Sequence, residues 1–596
     1  MQIITLDFET FFSADYTLKK MTTEAYIRDP RFATLCCGVR EHDNLRACYD
    51  AAEFAAWAKS QDWSAIGVVA HHAHFDGLIL AHHYGVKPAF WFDTLSMARM
   101  VHGADGGNSL GALAARYKLD EKSVPYDLFR GKTWAELGVQ GQMSLSDGCL
   151  HDVELTWEIF KRLGDGYPLE EYKVVDQTVR FFTEPALEGD IPLLEDLRQA
   201  EWDNKNGRMI ALGVGAAQLQ SSAQFVALLE AEGVEVEYKA GKNAPIPAIA
   251  ATDNFMRDLE GHDNPRVADL AAARLEVKST IDETRSARLA AMASRGSLPI
   301  YLAYCGAKTL RWSGGDKVNF QNFRRGGELR RSLMAPKGHM VGVIDLAQIE
   351  CRVLNVLAGQ DDVVEKFRQR RDLYSEIASK FYGEEVTKAQ ADKRGLGKQM
   401  ILSCGYGSGA ATFQRTAERG TYGPSIKLEL EECVAAVKIY RDEHAKVVRY
   451  WKTCDALLGD LEAGDADFEW GPLRGKGDKI ILPNGSWMNY NLAWDQERQS
   501  YVRKTRRGSS KIWGGVLTQN ICEAVSRLIL SQAMLRIAAA GIRVVGCTHD
   551  ELVMVMPEAQ IEAAMAFASA EMVRDVPWLP GIPLDCEGSF GERYSK

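Results

Sequence analysis

Short apolar runs in the first part of the chain alternate with stretches of helical spacing. Ile3–Leu6 and Ile66–Ala70 are runs of strand length, and the stretches between such runs repeat apolar residues at helical intervals. This alternation, over residues 1 to about 165, is typical of an α/β domain. Helical periodicity dominates residues 185–305, where Gly233–Pro247 is predicted to be irregular or to form short β structure.

The second part of the chain has a mixed pattern. Met340–Ile344 is predicted to be a short buried strand, and Gln348 onward has the apolar spacing of a helix. Residues 361–455 are predicted to be mainly helical, and strands are predicted again near Lys479–Leu482 and Val544–Met556. The fold class predicted for the whole chain is therefore multidomain, with α/β and α+β parts.

Two carboxylates in the second part stand at the ends of predicted strands. Asp345 directly follows Met340–Ile344, and Asp550 lies in an acidic turn between two apolar runs. A carboxylate on the rim of a sheet can bind a metal ion without being buried unpaired. Asp345 and Asp550 are therefore candidate metal ligands.

The first part of the chain carries a second set of carboxylates. In a strand, Asp7 and Glu9 point to the same side, because side chains alternate with a period of two. Two carboxylates this close repel each other unless a cation lies between them, although a lone pair of this kind is more often part of a surface strand. Asp76, at the start of a predicted helix, and Asp152 extend the set to four acids.

A stripe of larger side chains is predicted on one helix between Asp345 and Asp550. Arg394, Lys398, Leu402 and Tyr406 recur every four residues and so lie along one slowly drifting line. Two cations one turn apart can bind a triphosphate, whose negative charge grows on the departing pyrophosphate.

Two local alternatives concern the same regions. A Walker A phosphate-binding loop requires a glycine and a hydroxyl residue where this chain has Asp392 and Gln399, so that alternative fails. His71, His72 and His74 could form a metal site of their own, but adjacent histidines in a strand-to-helix turn are more often hydrogen-bonding or core residues.

Composition limits the class of protein and its location. The chain has 596 residues, of which 46% are hydrophobic and 26% charged, as in an ordinary globular protein of several domains. No apolar run approaches the ~18–20 residues of a membrane span, and the N-terminus lacks the pattern of a signal peptide, so we expect a cytoplasmic protein with no membrane partner. The twelve cysteines include no Cys-x-x-Cys pair, which argues against a zinc site and predicts free thiols in a reducing compartment.

The net charge of −10, taken for the whole protein, argues against nucleic-acid binding. The local distribution of charge matters more, because an acidic exterior can coexist with a basic cleft. Each local basic cluster by itself is more often a solvated face, but most of them flank the segments described above. The clusters are Arg324–Arg325, Arg330–Arg331, Arg368–Arg371 and Arg503–Lys511.

The segments around Asp345, Arg394 and Asp550, taken in this order, resemble motifs A, B and C of the family A DNA polymerases (the DNA polymerase I, or Klenow-type, family). The resemblance implies that Asp345 and Asp550 hold two Mg²⁺ ions per active site, for which Mn²⁺ can substitute. It also implies that Glu551 contributes to catalysis and that primer-template DNA and dNTPs are the partners.

The same resemblance assigns roles to further residues. Glu350 occupies the position that crowds the sugar 2′ carbon and so favours deoxynucleotides, while Leu402 stands where the family commonly has Phe or Tyr. The implied nucleotide-binding residues are Gln348, Glu350, Arg394, Lys398, Leu402 and Tyr406. The implied DNA-binding residues are Arg311, Asn319, Gln321, Asn322, Arg352 and His549.

The acids of the first part resemble the proofreading 3′–5′ exonucleases of the DEDD superfamily, which have a ribonuclease H-like fold. On that resemblance Asp7, Glu9, Asp76 and Asp152 hold two divalent ions, and oxygen ligands suit magnesium or manganese better than zinc.

The chain departs from that pattern at two places. His72 replaces an asparagine four residues before Asp76. Gly148 and Asp147 occupy the positions, four and five residues before Asp152, where the family usually has the tyrosine or the histidine that orients water. Either His151 or another side chain takes that role, or the exonuclease is weak.

The resemblance predicts the domain layout and a replicative polymerase of the bacteriophage type, without a 5′-nuclease domain. If it is encoded by a phage, we expect it to act in the cytoplasm of the host. Accessory replication proteins are not specified by the sequence. The predicted domains are an exonuclease domain at 1–165, a linker and thumb at 166–305, a first palm segment at 306–360, fingers at 361–455 and a second palm segment at 456–596.

Two other functions stay open. The first is a nuclease whose C-terminal half only binds DNA, against which the presence of Asp345, Lys398 and Asp550 argues. The second is a single-subunit RNA polymerase, against which Glu350 and the N-terminal acids argue.

Overall fold

The structure is a computed structural model that describes residues 1–41, 45–122, 126–241, 244–279, 281–505 and 508–594. Arg506 and Arg507, which belong to one of the basic clusters, lie outside the described residues. The chain divides into two compact units: residues 1–186, 299–322 and 337–591 form the first, and residues 187–298, 323–336 and 592–596 form the second.

A mixed sheet organises the N-terminal part of the first unit. Its strands lie in the order β3-β2-β1-β4-β5; β1 runs antiparallel to β2 and parallel to β4. The elements are β1 Gln2–Thr10, α1 Thr23–Ile27, β2 Thr34–Arg40, β3 Arg46–Asp50, α2 Ala51–Ser60, β4 Ile66–Ala70, α3 Ala73–His83, β5 Phe90–Asp93, α4 Thr94–His102, α5 Leu110–Arg116, α6 Gly138–Gly164 and α7 Leu169–Thr183.

Helices dominate residues 187–336. The apolar faces of α8 to α12 enclose a core that includes Phe225, Met256 and Leu270. The elements are β6 Glu188–Gly189, α8 Ile191–Leu212, α9 Ala216–Gln220, α10 Ser222–Ala231, β7 Tyr238–Lys239, β8 Ile246–Pro247, α11 Asn254–Glu260, α12 Pro265–Lys278, α13 Ile281–Ala293, β9 Leu302–Ala303, β10 Ser313–Gly314, α14 Glu328–Arg331 and β11 Leu333–Met334.

The rest of the first unit begins with one strand and a series of helices. The helical stretch contains Gly-rich α18, which packs closely on α17. The elements are β12 His339–Leu346, α15 Ile349–Leu357, α16 Asp361–Arg368, α17 Leu373–Tyr382, α18 Ala391–Cys404, α19 Ala410–Glu418, α20 Leu430–Glu443 and α21 Ala445–Ala463.

The last part of the first unit completes the sheet to which β12 belongs. That sheet is antiparallel, in the order β20-β21-β12-β22. The elements are β13 Ala466–Trp470, β14 Leu473–Gly477, β15 Lys479–Ile481, β16 Trp487–Asn489, β17 Leu492–Asp495, β18 Ser500–Thr505, β19 Gly508–Lys511, α22 Gly514–Ala539, β20 Val544–Thr548, β21 Glu551–Pro557, α23 Ile561–Met572 and β22 Cys586–Gly591.

These elements confirm the main secondary-structure predictions. The strands predicted at Ile3–Leu6, Ile66–Ala70 and Met340–Ile344 lie within β1, β4 and β12, and the helix predicted from Gln348 is α15. The two apolar runs within Val544–Met556 form β20 and β21, and the acidic turn around Asp550 reverses the chain between them, as predicted.

A buried ion pair joins α7 to α22 inside the first unit. The Glu171 carboxylate accepts hydrogen bonds from the Arg527 guanidinium at 2.9 Å, from the Tyr304 hydroxyl at 2.6 Å and from the Asn484 amide at 2.8 Å. Burial alone would raise the pKa of Glu171, but the Arg527 charge and these donors hold that pKa below its usual value. Because both charges are fully buried, each depends on the other for its stability.

Candidate active sites

Asp345 and Asp550 meet at one end of the β20-β21-β12-β22 sheet. β12 pairs with β21 so that Asp345 lies opposite Glu551, and the Leu346 N–H donates to the Asp550 carbonyl at 3.1 Å. The register of two neighbouring strands therefore brings together acids that are about two hundred residues apart in the chain. We call Asp345 and Asp550 the C-terminal carboxylate pair.

The electrostatics of the pair suit a bound cation. Burial raises the pKa of Asp550 to about 6, and the negative charges of Asp345 and Glu350 add to the shift, while Arg311 opposes it. The two acids can ionise together more easily when a divalent ion lies between them. Carboxylate oxygens are ligands that Mg²⁺ accepts, so the residues of the pair fit the implied ions.

Glu350 is fixed beside the pair by two neighbours. Its carboxylate forms an ion pair with Arg311 at 2.8 Å and accepts a hydrogen bond from the Tyr406 hydroxyl at 3.1 Å. Burial raises the pKa of Glu350, against the opposing charge of Arg311. The three side chains, predicted from separate motifs, thus form one connected group.

Gln348 and His549 share an uncommon backbone conformation next to the two acids. Their φ angles are +53° and +54°, in the left-handed region that non-glycine residues seldom adopt. Gln348 precedes α15, and His549 is exposed immediately before Asp550. Such strain costs about 1–3 kcal/mol per residue and tends to cluster at functional sites.

Helix α18 carries the predicted triphosphate-binding stripe up to its end. Arg394, Lys398 and Leu402 lie on α18 and are half-buried, whereas Tyr406 lies just beyond the helix. The Arg394 guanidinium donates to both carboxylate oxygens of Asp372, at 2.6 and 3.1 Å. Asp372 therefore orients Arg394 in this structure.

Gly397 has a packing role that the sequence did not indicate. A Cβ atom at this position would lie 2.0 Å from the carbonyl oxygen of Tyr374 on α17. The glycine is thus required where α18 approaches α17. At Gly395, by contrast, a Cβ atom would meet no atom within 4 Å.

The residues predicted to contact DNA differ in their exposure. Asn322 is exposed, Gln321 is buried, and the half-buried Asn319 accepts a hydrogen bond from the Gln321 N–H at 3.0 Å. Arg352 is buried, donates to the carbonyls of Ala347 and Pro583, and so makes protein contacts here. DNA contacts by these residues stay predictions.

The four acids predicted in the first part of the chain form a second cluster, which we call the N-terminal carboxylate cluster. Asp7 and Glu9 lie on β1, Asp76 lies on α3, and Asp152 lies on α6. Asp76 accepts a hydrogen bond from the Phe8 N–H at 3.2 Å, which fixes α3 against β1 beside the first two acids.

Burial and mutual repulsion raise the pKa values of Asp7, Glu9 and Asp76. Burial is the main cause at Asp7, whose pKa rises to about 7, and Asp152 adds to the shift. Burial and the charge of Asp7 raise the pKa values of Glu9 and Asp76 well above their usual range. A divalent cation would relieve this repulsion, and a set of carboxylate oxygens fits Mg²⁺ or Mn²⁺.

Two side chains that sequence reasoning missed reach into the cluster. The Tyr126 hydroxyl donates to Glu9 at 3.1 Å and lies 3.5 Å from an oxygen of Asp152, and the Lys122 ammonium forms an ion pair with Asp152. The only sequence signal was their position in a polar segment before α6. Their role depends on the tertiary contacts that bring Tyr126 to Glu9 and Lys122 to Asp152.

The residues considered from the family pattern at this cluster make other contacts. His151 lies beside Asp152 in sequence, but its Nε2 is 3.0 Å from the Glu121 carbonyl oxygen. Gly148, one helical turn before Asp152, is buried in α6 and offers no side chain. Tyr126 is therefore the hydroxyl that contacts the cluster in this structure.

The neighbouring histidines are engaged in protein contacts. His71 bonds the Thr94 hydroxyl at 2.9 Å, His72 bonds the Tyr301 hydroxyl at 3.2 Å, and the His74 ring packs 4.7 Å from that of Tyr301. Burial lowers the pKa of His71 to about 4 and that of His74 to about 3. These contacts agree with the hydrogen-bonding and core alternative.

None of the helices in the described ranges combines the length and the hydropathy that a membrane span requires.

The known proteins that this chain resembles are DNA polymerases. Residues 198–458 match the family model described as DNA polymerase family A. The DNA polymerase of Bacillus phage SP02 is 23% identical over a 673-residue alignment that covers 100% of both proteins. The thermostable DNA polymerase I of Thermus thermophilus is 24% identical over 45% of this chain, which spans only 28% of that relative.

A solved structure matches almost the whole chain. It is described as the POL domain of Pol1 from M. smegmatis in complex with DNA primer-template and dNTP. The match covers 99% of this chain and 95% of that one, with a TM-score of 0.70 and 17% sequence identity. At this identity the likeness shows the fold alone.

Proposed function

We propose that this chain is a DNA polymerase of family A that extends a primer 3′ end on a template and also shortens mismatched ends by 3′–5′ hydrolysis. The observation that carries the first activity is the register of β12 and β21, which brings Asp345 and Asp550 together. The N-terminal carboxylate cluster is the observation that favours the second.

For extension, Asp345 and Asp550 would hold two Mg²⁺ ions, with Glu551 beside them. When bound, such ions lower the pKa of the attacking hydroxyl and neutralise charge on the phosphate. Arg394 and Lys398 bind the triphosphate, and they do so best if Arg394 exchanges its bond with Asp372 for one to phosphate.

Selection of the sugar falls to the group around Glu350. Arg311 and Tyr406 hold the Glu350 carboxylate in one place, so that a 2′-hydroxyl on the incoming nucleotide would clash with this side chain. Gln348 and Leu402 line the same nucleotide site in this proposal. Deoxynucleotides fit there because they lack that hydroxyl.

Primer-template DNA would be bound by the residues that the family resemblance implies. Amide and guanidinium donors suit minor-groove acceptors, which base pairs largely share, so the fit of a pair can be tested without reading its sequence. The proposed DNA-binding residues are Arg311, Asn319, Gln321, Asn322, Arg352 and His549.

For hydrolysis, the four acids of the N-terminal cluster would hold a second pair of divalent ions. Tyr126 is close enough to Glu9 and Asp152 to orient a water molecule that attacks the last phosphodiester of the primer, which releases the terminal nucleotide as a 5′-monophosphate and leaves a 3′-hydroxyl on the shortened primer. Lys122 would leave Asp152 as the ions bind, or remain as a neighbouring positive charge near the phosphate. The domain that carries this site is proposed to be a ribonuclease H-like exonuclease domain at residues 1–165.

The remaining proposed domains are a linker and thumb at 166–305, palm segments at 306–360 and 456–596, and fingers at 361–455. A role in phage genome replication is supported by the full-length match to the phage SP02 enzyme.

The experiment that tests these activities is a gel assay of a 5′-labelled primer on a longer template, with Mg²⁺, with and without the four dNTPs. We expect extension with dNTPs and shortening without them. Extension without shortening would reject the exonuclease, and shortening without extension under every dNTP condition would reject the polymerase. Extension with ribonucleotides in preference to dNTPs would favour an RNA polymerase.

A further inference from the structure

Three cysteines that are distant in sequence meet beside the N-terminal carboxylate cluster. Cys36 lies on β2, Cys48 on β3 and Cys149 on α6, and their sulfur atoms all lie within 4.8 Å of one another. The β2–β3 register pairs Cys48 with Gly38, two residues from Cys36, so both thiols project from the same face of the sheet.

The missing side chain of Gly38 makes room for this arrangement. A Cβ atom there would lie 3.0 Å from the sulfur of Cys149, and the Gly38 N–H donates to that sulfur at 3.1 Å. The surroundings include apolar side chains such as Leu35 and Leu145. Helix α6 therefore brings the Cys149 thiol close to the thiols of Cys36 and Cys48.

Buried cysteines often serve only as small apolar residues, and one thiol in this core would need no other explanation. Three sulfur atoms within reach of one point form the ligand set that thiophilic ions prefer. At a Zn–S distance of about 2.3 Å, sulfurs on a tetrahedral ion lie about 3.8 Å apart, which the 4.8 Å limit allows.

We propose that Cys36, Cys48 and Cys149 bind a thiophilic divalent ion such as zinc, at a site distinct from the carboxylate ligands of the proposed exonuclease. Binding exchanges three S–H bonds for three sulfur–metal bonds and releases three protons to solvent, with no change of oxidation state. Cys48 is half-buried, whereas Cys36 and Cys149 are buried, so the ion enters past Cys48.

Cys149 also connects this site to the carboxylates. Its sulfur donates to the Asp7 carbonyl at 3.3 Å and lies 3.9 Å from a carboxylate oxygen of Asp7. Metal binding removes the thiol proton and draws the sulfur toward Cys36 and Cys48, so it changes a contact of Asp7. Occupancy of the thiol site should therefore slow shortening of the primer, a coupling that rests on the proposed exonuclease.

The test is a cadmium titration of the full chain in excess Mg²⁺, followed by thiolate-to-metal charge-transfer absorption. We expect one tight equivalent of Cd²⁺ per chain, competed by Zn²⁺. Cys48→Ser should weaken this binding by at least about tenfold, since it removes one ligand. Cys586→Ser is the matched control, because Cys586 is also half-buried but lies outside the thiol group, and it should bind like the parent.

Primer extension by each variant checks that it is folded. Asp76→Asn, which removes a proposed exonuclease ligand but no thiol, should stop shortening and keep cadmium binding, so failure of the exonuclease proposal is told apart from failure of the thiol site. A parent chain without the tight cadmium equivalent, or Cys48→Ser binding as tightly as the parent, would overturn the thiol site. A shortening rate unaffected by bound Zn²⁺, in a chain that shortens primers, would overturn the coupling.

Discussion

The N-terminal carboxylate cluster and the C-terminal carboxylate pair use the same chemical groups in different surroundings. The cluster is assembled from a strand and two helices, and Asp76 and Asp152 are 2% and 0% exposed. The pair lies at one end of an antiparallel sheet, where Asp345 is buried and Asp550 is half-buried. Burial raises the pKa of an acid at each site, to about 7 for Asp7 and to about 6 for Asp550.

The two sites also differ in where their nearest cations lie. Lys122 contacts Asp152 inside the cluster, whereas Arg311 contacts Glu350 beside the pair. The cluster is thus partly neutralised by a direct ion pair with Lys122, whereas at the pair the charge of Arg311 acts on Asp550 and on Glu350. We infer that the cluster depends more strongly on competition among protons, Lys122 and metal ions.

The largest effects are expected from substitutions that abolish the activity of one site and spare the activity of the other. Asp345→Asn should lower primer extension by about a thousandfold or more and spare shortening, and Asp7→Ala should do the reverse. Each change removes a carboxylate ligand worth several kcal/mol in the transition state, at about 1.4 kcal/mol per tenfold. The labelled-primer gel measures both rates, and loss of both activities in one well-folded variant would refute two independent sites.

Removal of the Tyr126 hydroxyl should affect only the hydrolytic activity of the N-terminal carboxylate cluster. Tyr126→Phe should slow shortening by about a hundredfold, because the water contact that orients the nucleophile is lost, and should leave extension unchanged. Tyr117→Phe is a suitable control, since its hydroxyl bonds His102 instead. Unchanged shortening by Tyr126→Phe would return the water-orienting role to another residue.

Substitution of Glu350, beside the pair, should change the discrimination between deoxynucleotides and ribonucleotides more than the rate of primer extension. Glu350→Ala should reduce discrimination against ribonucleotides by about tenfold or more, because it removes the side chain that fills the space beside the sugar. Glu350→Gln keeps the volume and should keep most of the discrimination. Single-nucleotide incorporation with matched dNTP and rNTP measures the ratio; equal ratios in Glu350→Ala and the parent would exclude the steric role.

Lys122 should set the magnesium requirement of the cluster. Lys122→Met should lower the Mg²⁺ concentration for half-maximal shortening by up to about tenfold, since a competing positive charge next to Asp152 is removed. Lys132→Met, at an exposed position, should leave it unchanged. Shortening that instead collapses at every Mg²⁺ concentration would show that Lys122 acts on the DNA or the reaction.

The smallest effect concerns pH and stability without metal. The raised pKa values of Asp7 and Asp550 mean that the folded state binds more protons than the unfolded state between about pH 4 and pH 7, so the free energy of unfolding falls as pH rises there. Asp7→Asn should reduce that fall, and Mg²⁺ should oppose it. Thermal melting in chelator and in Mg²⁺ measures both; an Asp7→Asn variant with the parent's pH dependence would contradict the prediction.

Sequence reasoning was most successful where a site is built from local patterns. The apolar run before Asp345 and the two runs around Asp550 predicted strands, and pairing of those strands brings the acids together. Helix α18 was predicted from its four-residue spacing, but its Gly397 serves contact with α17, which no local pattern specifies.

The sequence by itself determined the order of strands and helices around both acidic sets and the residue types that can bind a divalent ion, since apolar periodicity and side-chain chemistry are local properties. The tertiary structure alone decided that Tyr126 and Lys122 reach the N-terminal cluster and that three cysteines without a local zinc spacing converge. These contacts depend on how β1, β2, β3 and α6 pack. Packing results from the burial of many side chains together, so it cannot be predicted from the spacing of residues along the chain.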